Sequence, residues 1–288
     1  MKIAIIGLGL IGGSLGRTIV KKTDDEVFAF DINNHAMIEG KLLRAYHKPL
    51  TKENIKEMDV VFFSLYPDAL EKVLNEYCPL LKDGALVVDC CGNKRRVVKQ
   101  MQELSKKHKN LDFISAHPMA GREFSGISHS TASLFEKASM ILVPVKADIK
   151  RIKDLKEYSL SLGFNNVEIT TAEKHDEIIA FTSQLAHLVS SSYIKSPTAL
   201  EFMGFSAGSF RDMTRVARLS PEMWTELTVD NADFLVKEID NIIGSLTEYK
   251  TALKERDKKK MKELLADGNE KKLLSEKMRR NKNNENKN

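Results

Sequence analysis

The segment SAHPMAGREFSG, which begins at Ser115, contains one histidine together with a proline and two glycines. Histidine has a pKa close to neutrality, so the imidazole of His117 could take a proton from a bound hydroxyl group. The apolar run DFISA, which has the composition of a buried strand, leads directly into it. Because ligands bind at the carboxyl ends of strands in open α/β sheets, His117 is either a catalytic base at such a site or a turn histidine bonded to backbone.

The segment GLGLIG at residues 7–12 has the G-x-G-x-x-G spacing and separates an apolar run from an amphipathic stretch. In dinucleotide-binding folds such glycines form a tight turn, admit a pyrophosphate and let a helix pack closely on a strand. Asp31 ends the next apolar run, where its carboxylate can bind both hydroxyls of an adenine ribose but would repel a 2′-phosphate. The pattern favours NAD over NADP, and the alternative is an ordinary glycine turn with an aspartate at a strand end.

Seven apolar runs of strand length lie at intervals that leave room for helices, and they show little period-2 alternation, as in strands buried on both faces. The runs are KIAIIG, EVFAFD, DVVFFSLY, ALVVDCC, DFISAHP, ASMILVPV and NNVEIT. Strands that alternate with helices predict an α/β fold with a Rossmann-type doubly wound parallel sheet. From Ala172 to Arg280 only helical periodicity is visible. We therefore expect a dinucleotide-binding domain over residues 1–170, an all-helical domain over 171–280 and a disordered tail over 281–288.

The second half contains a long apolar stripe. Ser220 followed by Pro221 predicts a helix start, with a capping serine and a proline at the first helical position. Apolar residues then recur at steps of three and four, namely Leu235, Val236, Ile239, Ile242, Ile243, Leu246 and Tyr249. Burying a large apolar side chain contributes about 1.5–3 kcal/mol, so the stripe needs a cover. The helices of the first domain cover their own sheet, and we expect a second subunit to cover part of the stripe.

Composition narrows the classes of partner. The net charge of the 288 residues is +5, but residues 254–288 hold 13 basic against 7 acidic side chains, which leaves the rest of the chain at −1. A near-neutral body argues against a nucleic-acid-binding domain. No apolar run reaches the roughly 18 residues that span a bilayer. Three cysteines, two of them adjacent, make a poor disulfide framework and favour a reducing cytoplasm. We expect no metal ion.

SAHPMAGREFSG resembles the H-P-x-x-G-x-E-x-S-G signature of prephenate and arogenate dehydrogenases, the TyrA family of tyrosine biosynthesis. Four further segments extend the resemblance over nearly the whole chain: GLGLIGGSLG, FAFDIN, KHD…SQLAH and GSFRDMTRVARLSPEMW. The resemblance implies NAD-dependent oxidative decarboxylation of prephenate to 4-hydroxyphenylpyruvate, with arogenate as the alternative substrate. It also implies a homodimer formed by the helical domain. The tail is too short for the C-terminal ACT domain that some members carry.

The resemblance assigns roles to individual residues. His117 corresponds to the catalytic histidine, and Arg215 to an arginine that holds a substrate carboxylate. The residues expected to bind substrate are Arg215, His187, Glu123, Gly208, Asp212 and Trp224. The residues expected to bind the cofactor are Gly7, Leu8, Gly9, Ile11, Gly12, Asp31, Leu65 and Gly92. The alternatives from residue type alone are a surface Arg215–Asp212 pair, core roles for His187 and Trp224, and a surface position for Glu123.

One position departs from the family pattern. Many members have a serine after the strand ALVVD that bonds both the catalytic histidine and the nicotinamide, and here that position is Gly92. A water, Cys91 or Asn93 would have to replace it, or the histidine is less firmly oriented. Two competing interpretations are a β-hydroxyacid dehydrogenase, in which Lys174 would be the acid/base candidate, and a non-catalytic NAD-binding protein. Turnover of prephenate distinguishes among the three.

Overall fold

The computed structural model describes residues 1–122 and 124–285. Within these residues, eight strands form one sheet in the order β3-β2-β1-β4-β5-β6-β7-β8. The strands are β1 (Lys2–Ile6), β2 (Glu26–Phe30), β3 (Lys48–Pro49), β4 (Val60–Phe63), β5 (Leu86–Asp89), β6 (Asp112–Pro118), β7 (Ser139–Lys146) and β8 (Asn166–Ile169). Each of the seven apolar runs is a strand, and the sheet is covered on both faces by separate apolar clusters, as expected for a doubly wound fold.

Two details of the sheet differ from the simplest expectation. The two-residue strand β3 pairs with the edge of β2, and its lysine and proline gave no strand pattern in the sequence. Strand β7 runs antiparallel to β6, whereas the other pairs are parallel. A parallel pair needs a crossover, usually a helix. In its described residues the β6–β7 connection has a 3₁₀ turn, Ile127–His129, in that place.

In the part of the chain that the structure describes, five helices belong to the sheet region: α1 (Leu10–Lys22), α2 (Asn34–Leu42), α3 (Pro67–Tyr77), α4 (Arg95–Lys107) and α5 (Ile149–Ser161). After β8 the described chain is helical, with α6 (Ala172–Ile179), a π-helical segment (Ala180–Leu185), α7 (Ala186–Tyr193), α8 (Gly208–Thr214), α9 (Pro221–Val229), α10 (Ala232–Lys254) and α11 (Lys258–Glu285). The predicted change from strands to helices after Thr170 is therefore confirmed. No helix within residues 1–122 and 124–285 is long and apolar enough to cross a membrane.

The helix predicted to follow Ser220 and carry the apolar stripe is two helices. Ser220 caps α9, where its hydroxyl accepts a hydrogen bond from the amide of Met223. The helix is interrupted before α10, at Asn231. The side-chain amide of Asn231 is fully buried and donates to the carbonyl of Asp176 and to Gln184 Oε1. These bonds require Asn231 to face the interior, and the helix is interrupted there. The apolar stripe therefore lies on α10 alone.

The chain divides into two compact units, residues 1–235 and the residues from 236 onward. In the second unit the hydroxyl of Tyr249 on α10 donates to the carbonyl of Leu264 on α11 at 3.2 Å. Val236, Ile243 and Leu246 of the stripe are 54–61% exposed in the single chain. The domain boundary near residue 170 stays a prediction.

Candidate active site

The glycine segment forms an open cradle at the carboxyl end of β1. Gly7 has φ +97°, and a Cβ there would lie 2.4 Å from the carbonyl oxygen of Ser64. A Cβ on Gly12 would lie 1.9 Å from the carbonyl oxygen of Gly7, so α1 packs directly on the turn. Gly9, the N-cap of α1, has no atom within 4 Å of its Cβ position and offers no side-chain cap. The helix N-terminus is thus accessible to an anion, as a pyrophosphate requires.

The other predicted cofactor residues lie around this cradle. Asp31 follows β2, and its two carboxylate oxygens accept the amides of Leu8 at 2.7 Å and Asn33 at 2.8 Å. Leu65 follows β4, the strand next to β1 at the point where the strand order reverses. Ile11 lies half-buried against the core beneath α1. The described residues therefore fit a dinucleotide bound at the switch point of the sheet.

His117 lies near the carboxyl end of β6 and contacts a second histidine. Its Nδ1 is 2.9 Å from Nε2 of His175 on α6, and His175 Nδ1 is 2.7 Å from Asp176 Oδ1. An ionised carboxylate only accepts, so His175 Nδ1 carries the proton and its Nε2 has a lone pair. His117 must then donate from Nδ1, which leaves its Nε2 unprotonated. The geometry makes Nε2 the ring nitrogen that can accept a proton from a substrate.

Electrostatics keeps both imidazoles neutral. Burial, with repulsion from His175 and from the Lys94 ammonium, holds the pKa of His117 well below its usual value near 6.5. Burial also lowers the pKa of His175, although the hydrogen bond to Asp176 acts in the opposite direction. Burial alone would raise the pKa of Asp176, but hydrogen bonds from His175 and two backbone amides outweigh it and lower that pKa. At pH 7 His117 and His175 are therefore both neutral, and Asp176 is a carboxylate.

The Asp176 carboxylate is fixed by helix α4. It accepts the amides of Lys94 at 2.8 Å and Arg95 at 2.9 Å, the first amides of that helix. The N-cap residue of α4, Lys94, makes no cap with its own side chain. Asp176 caps the helix from a distant part of the chain and also benefits from the positive end of the helix dipole.

Lys94 forms a fully buried ion pair beneath His117. Its Nζ lies 2.6 Å from Asp89 Oδ1 and 2.6 Å from the carbonyl oxygen of Ala116, the residue before His117. Both side chains of the pair are completely shielded from solvent. The ammonium links the ends of β5 and β6 and opposes a positive charge on His117.

Gly92 has no side chain that could bond His117 as the family serine would. In the structure the side chain of His175 contacts His117 instead. The thiol of Cys91 donates to the carbonyl of Leu65, and the amide of Asn93 donates to the carbonyl of Leu227. Both groups proposed as substitutes are engaged away from His117. A Cβ on Gly92 would lie 3.0 Å from Leu227 Cδ2, so Leu227 already occupies the space next to this position.

The predicted substrate residues fall into smaller groups. The rings of His187 and Trp224 lie with centroids 4.2 Å apart, and His187 Nδ1 donates to the carbonyl of Ser183 at 2.8 Å. His187 therefore also presents an unprotonated Nε2 when neutral. Gly208 and Asp212 lie on α8 and Arg215 directly follows it, all three exposed. Glu123 lies outside the described residues.

His175, Asp176 and Lys94 are functional candidates that the sequence interpretation did not single out. The adjacent pair His175-Asp176 lies in the KHD segment, which was noted as a motif but not assigned a role. Adjacent histidine and aspartate side chains were a usable signal. The contact of His175 with His117, 58 residues earlier in the chain, depends on the tertiary fold.

A dinucleotide cradle and a neutral histidine at the same edge of a Rossmann-type sheet define a nucleotide-dependent oxidoreductase. Residues 15–167 match the model of the prephenate dehydrogenase nucleotide-binding domain, and residues 171–267 match that of the prephenate dehydrogenase dimerization domain. The chain belongs to the prephenate dehydrogenase family. The predictions of fold class, family and enzyme class are confirmed.

Individual relatives agree with the family assignment. The chain is 30% identical to a cyclohexadienyl dehydrogenase of Zymomonas mobilis over 88% of this chain and 89% of the relative. It is 28% identical to a prephenate dehydrogenase of Lactococcus lactis over 93% of this chain and 75% of the relative. A crystal structure of prephenate dehydrogenase from A. aeolicus, in complex with hydroxyphenyl propionate and NAD+, superposes with a TM-score of 0.83 at 24% identity, covering 95% of this chain and 98% of that one.

The lowered pKa values of His117 and His175 predict a pH-dependent stability. Below about pH 6.5 the unfolded chain protonates both imidazoles, whereas the folded chain resists protonation. The free energy of unfolding should therefore fall as the pH drops from about 7 to 5. Asp176, with its lowered pKa, adds a further loss only below about pH 4. Urea unfolding at several pH values measures the slope.

His175→Gln should make this slope shallower because one of the two titrating groups is gone. His35→Asn is the matched control, since the His35 side chain is 84% exposed. If the His35 and His175 variants changed the slope equally, the buried pair would not be its source.

Proposed function

We propose that the chain is an NAD-dependent prephenate dehydrogenase that converts prephenate to 4-hydroxyphenylpyruvate and CO₂, with arogenate as the alternative substrate. The observation that supports this function best is the orientation of His117. Its Nδ1 is held by His175, which leaves Nε2 as a proton acceptor at the edge of the sheet that carries the glycine cradle. An alcohol oxidation needs such an acceptor for the hydroxyl proton.

The cradle of Gly7, Gly9 and Gly12 would hold the pyrophosphate of NAD, and Asp31 would bind the adenine ribose. Bound NAD+ would accept the hydride from C4 of prephenate. His117 Nε2 takes the proton of the C4 hydroxyl as that carbon is oxidised. Loss of CO₂ leaves its electron pair in the ring, and the former hydroxyl oxygen takes back a proton to give the phenol.

The helical part of the chain would hold the two carboxylates of prephenate. Arg215 is exposed after α8, and a guanidinium binds a carboxylate through two parallel hydrogen bonds. The His187 ring lies against Trp224 with the ring planes tilted by 35°, and its Nδ1 donates to the carbonyl of Ser183. Because a carboxylate only accepts, His187 would hold one through Nε2 only in the form that carries a proton there. Glu123, Gly208 and Asp212 stay in the proposed substrate site on the strength of the motif alone.

Turnover tests the proposal directly. NADH formation is measured with prephenate and with arogenate as substrates, and the products 4-hydroxyphenylpyruvate and tyrosine are identified. We expect prephenate to have the higher kcat/KM. No turnover of either substrate would contradict the function, and a preference for arogenate would select the alternative.

Two substitutions separate the proposed roles. His117→Asn should lower kcat by about 10² or more with little effect on NAD+ binding, because only the proton acceptor is lost. Arg215→Ala should act mainly on KM, because a carboxylate is held in the ground and transition states alike. Steady-state kinetics measures both variants. A His117→Asn enzyme that kept most of its kcat would return His117 to the role of a turn residue.

Asp31 is expected to select the cofactor. The unsubstituted chain should have a higher kcat/KM with NAD+ than with NADP+, because the carboxylate repels a 2′-phosphate. Asp31→Ala should reduce this preference, and Asp24→Ala on the connection before β2 serves as a control of equal charge change. Equal kcat/KM values for the two cofactors in the unsubstituted chain would rule out this role.

We infer that the functional unit is a C2 homodimer. Residues 171–267 match a dimerization domain, and Val236, Ile243 and Leu246 of the α10 stripe are more than half exposed in the single chain. At about 1.5–3 kcal/mol for each large side chain, covering them favours association. An isologous contact would pair the same residues on both copies. In such a dimer Gly208 and Asp212 could approach the site of the other copy.

Sedimentation at sub-micromolar concentration tests the assembly. We expect a dimer, and we expect Leu246→Glu to weaken it because a charge would have to be buried in the contact. Ser245→Glu, on the neighbouring exposed position of α10, is the matched control. A compact and fully active monomer would show that the stripe needs no second chain.

A further inference from the structure

We propose that His175 is the positioning residue of His117, and that Asp176 makes this positioning depend on the N-terminus of α4. The proposal rests on the proposed dehydrogenase function, because it names the group that orients the base of that reaction. His175 selects which ring nitrogen of His117 is free. Asp176 selects which ring nitrogen of His175 is free.

The burial of His175 separates its role from that of His117. His175 is 2% exposed, whereas His117 is only partly buried. The two rings lie with centroids 5.1 Å apart and planes tilted by 54°. A substrate can therefore reach His117, while His175 acts through its contact with the His117 ring.

Other neighbours of His117 are committed elsewhere. The Lys94 ammonium binds Asp89 and the carbonyl of Ala116, and Gly92 has no side chain. Leu227 fills the space into which a side chain at position 92 would extend. Within residues 1–122 and 124–285, the side chain that meets Nδ1 of His117 is His175.

Asp176 determines which of the two histidines donates the hydrogen bond between them. If this residue were neutral, either nitrogen of His175 could carry the proton, and His175 could then donate to His117 instead of accepting from it. The first two amides of α4 keep the carboxylate charged, and Arg95 Nε adds a contact at 3.3 Å. Arg95 also binds Asp233 at the start of α10. His175 and Asp176 lie on α6, so the tautomer of His117 depends on how α6 packs against the start of α4.

The same arrangement suits the reaction. When His117 Nε2 takes the substrate proton, the ring becomes a cation that still donates from Nδ1 to His175. The charge of Asp176 lies one imidazole further away and favours that cation without binding it directly. The ring keeps one orientation before and after proton transfer, so no reorientation accompanies the step.

The first measurement uses the free protein with ¹⁵N-labelled histidine, without substrate or cofactor. In the unsubstituted chain the ¹⁵N shifts of His117 should show a single tautomer with a protonated Nδ1. His175→Phe keeps a ring but removes the acceptor, and it should give a mixture of both tautomers. His175→Gln places a carbonyl oxygen that can accept from Nδ1, and it should keep a larger share of the original tautomer.

The second measurement is steady-state kinetics with prephenate and NAD+. His175→Phe should lower kcat by about 10- to 100-fold, the size of loss found when a group that orients a metal-binding histidine is removed, with little change in KM. His175→Gln should recover part of the loss. His47→Gln is the control, because His47 accepts a hydrogen bond from the amide of Val27 at the opposite end of the strands. It should leave both the tautomer and kcat unchanged.

A third variant tests the dependence on α4. Asp176→Asn keeps the shape of the side chain but removes its charge. We expect it to give a mixture of His117 tautomers and faster hydrogen exchange at the amides of Lys94 and Arg95. Unchanged exchange and an unchanged tautomer would contradict the link to the helix.

The outcomes separate the inference from the proposed function. A single Nδ1–H tautomer of His117 in His175→Phe, or equal kcat values for the Phe and Gln variants, would overturn the positioning role. An unsubstituted chain that turned over neither prephenate nor arogenate would overturn the function. The tautomer measurement in the free protein would still decide the inference in that case.

Discussion

The Asp176 carboxylate is the contact on which the rest of the site depends. It caps α4 through two backbone amides and receives the proton-bearing nitrogen of His175. A buried carboxyl would lose its charge without such partners, and four donors keep it ionised. A fixed negative charge then determines the protonation of two imidazoles in series, which leaves His117 with a free Nε2. In the proposed mechanism, the protonation of the base therefore depends on a helix terminus that lies two side chains away.

The start of α4 carries three consecutive cations, Lys94, Arg95 and Arg96, where the helix dipole favours anions. Each is paired with one or two carboxylates, and no two of these cations share the same one. Lys94 pairs with Asp89 inside the sheet domain, and Arg95 pairs with Asp176. Arg96 meets Asp68 at 2.6 Å and Asp230 at 3.1 Å. Asp176 and Asp230 lie in the helical part of the chain. The cations that are unfavourable at this helix terminus therefore form ion pairs that hold α6 and the end of α9 against the sheet domain.

The sequence predicted the parts of this molecule that local pattern determines. Buried parallel strands read as continuous apolar runs, so seven strands and the glycine cradle could be found without the structure. Strand β3 could not, because two residues at a sheet edge carry no periodicity. The interruption at Asn231 could not be predicted from the sequence, because it depends on hydrogen bonds from Asn231 to residues on other elements. The regular apolar stripe of α10 also favoured a single continuous helix. The contacts from His117 through His175 to Asp176 join residues far apart in the chain, and only the fold makes them neighbours.

The π-helical segment Ala180–Leu185 lies between the two histidines that one helical stretch would supply to the proposed site. His175 and His187 are twelve residues apart, and in a regular α-helix they would lie about 120° apart around the axis. A π-helix has more residues in each turn and rotates less per residue about its axis. The segment therefore brings the two histidines closer to one face of the helical stretch. Both donate from Nδ1, His175 to a carboxylate and His187 to a carbonyl. His175 therefore uses its Nε2 to contact His117 inside the protein, whereas the Nε2 of His187, beside Trp224, is the ring nitrogen left for the proposed substrate.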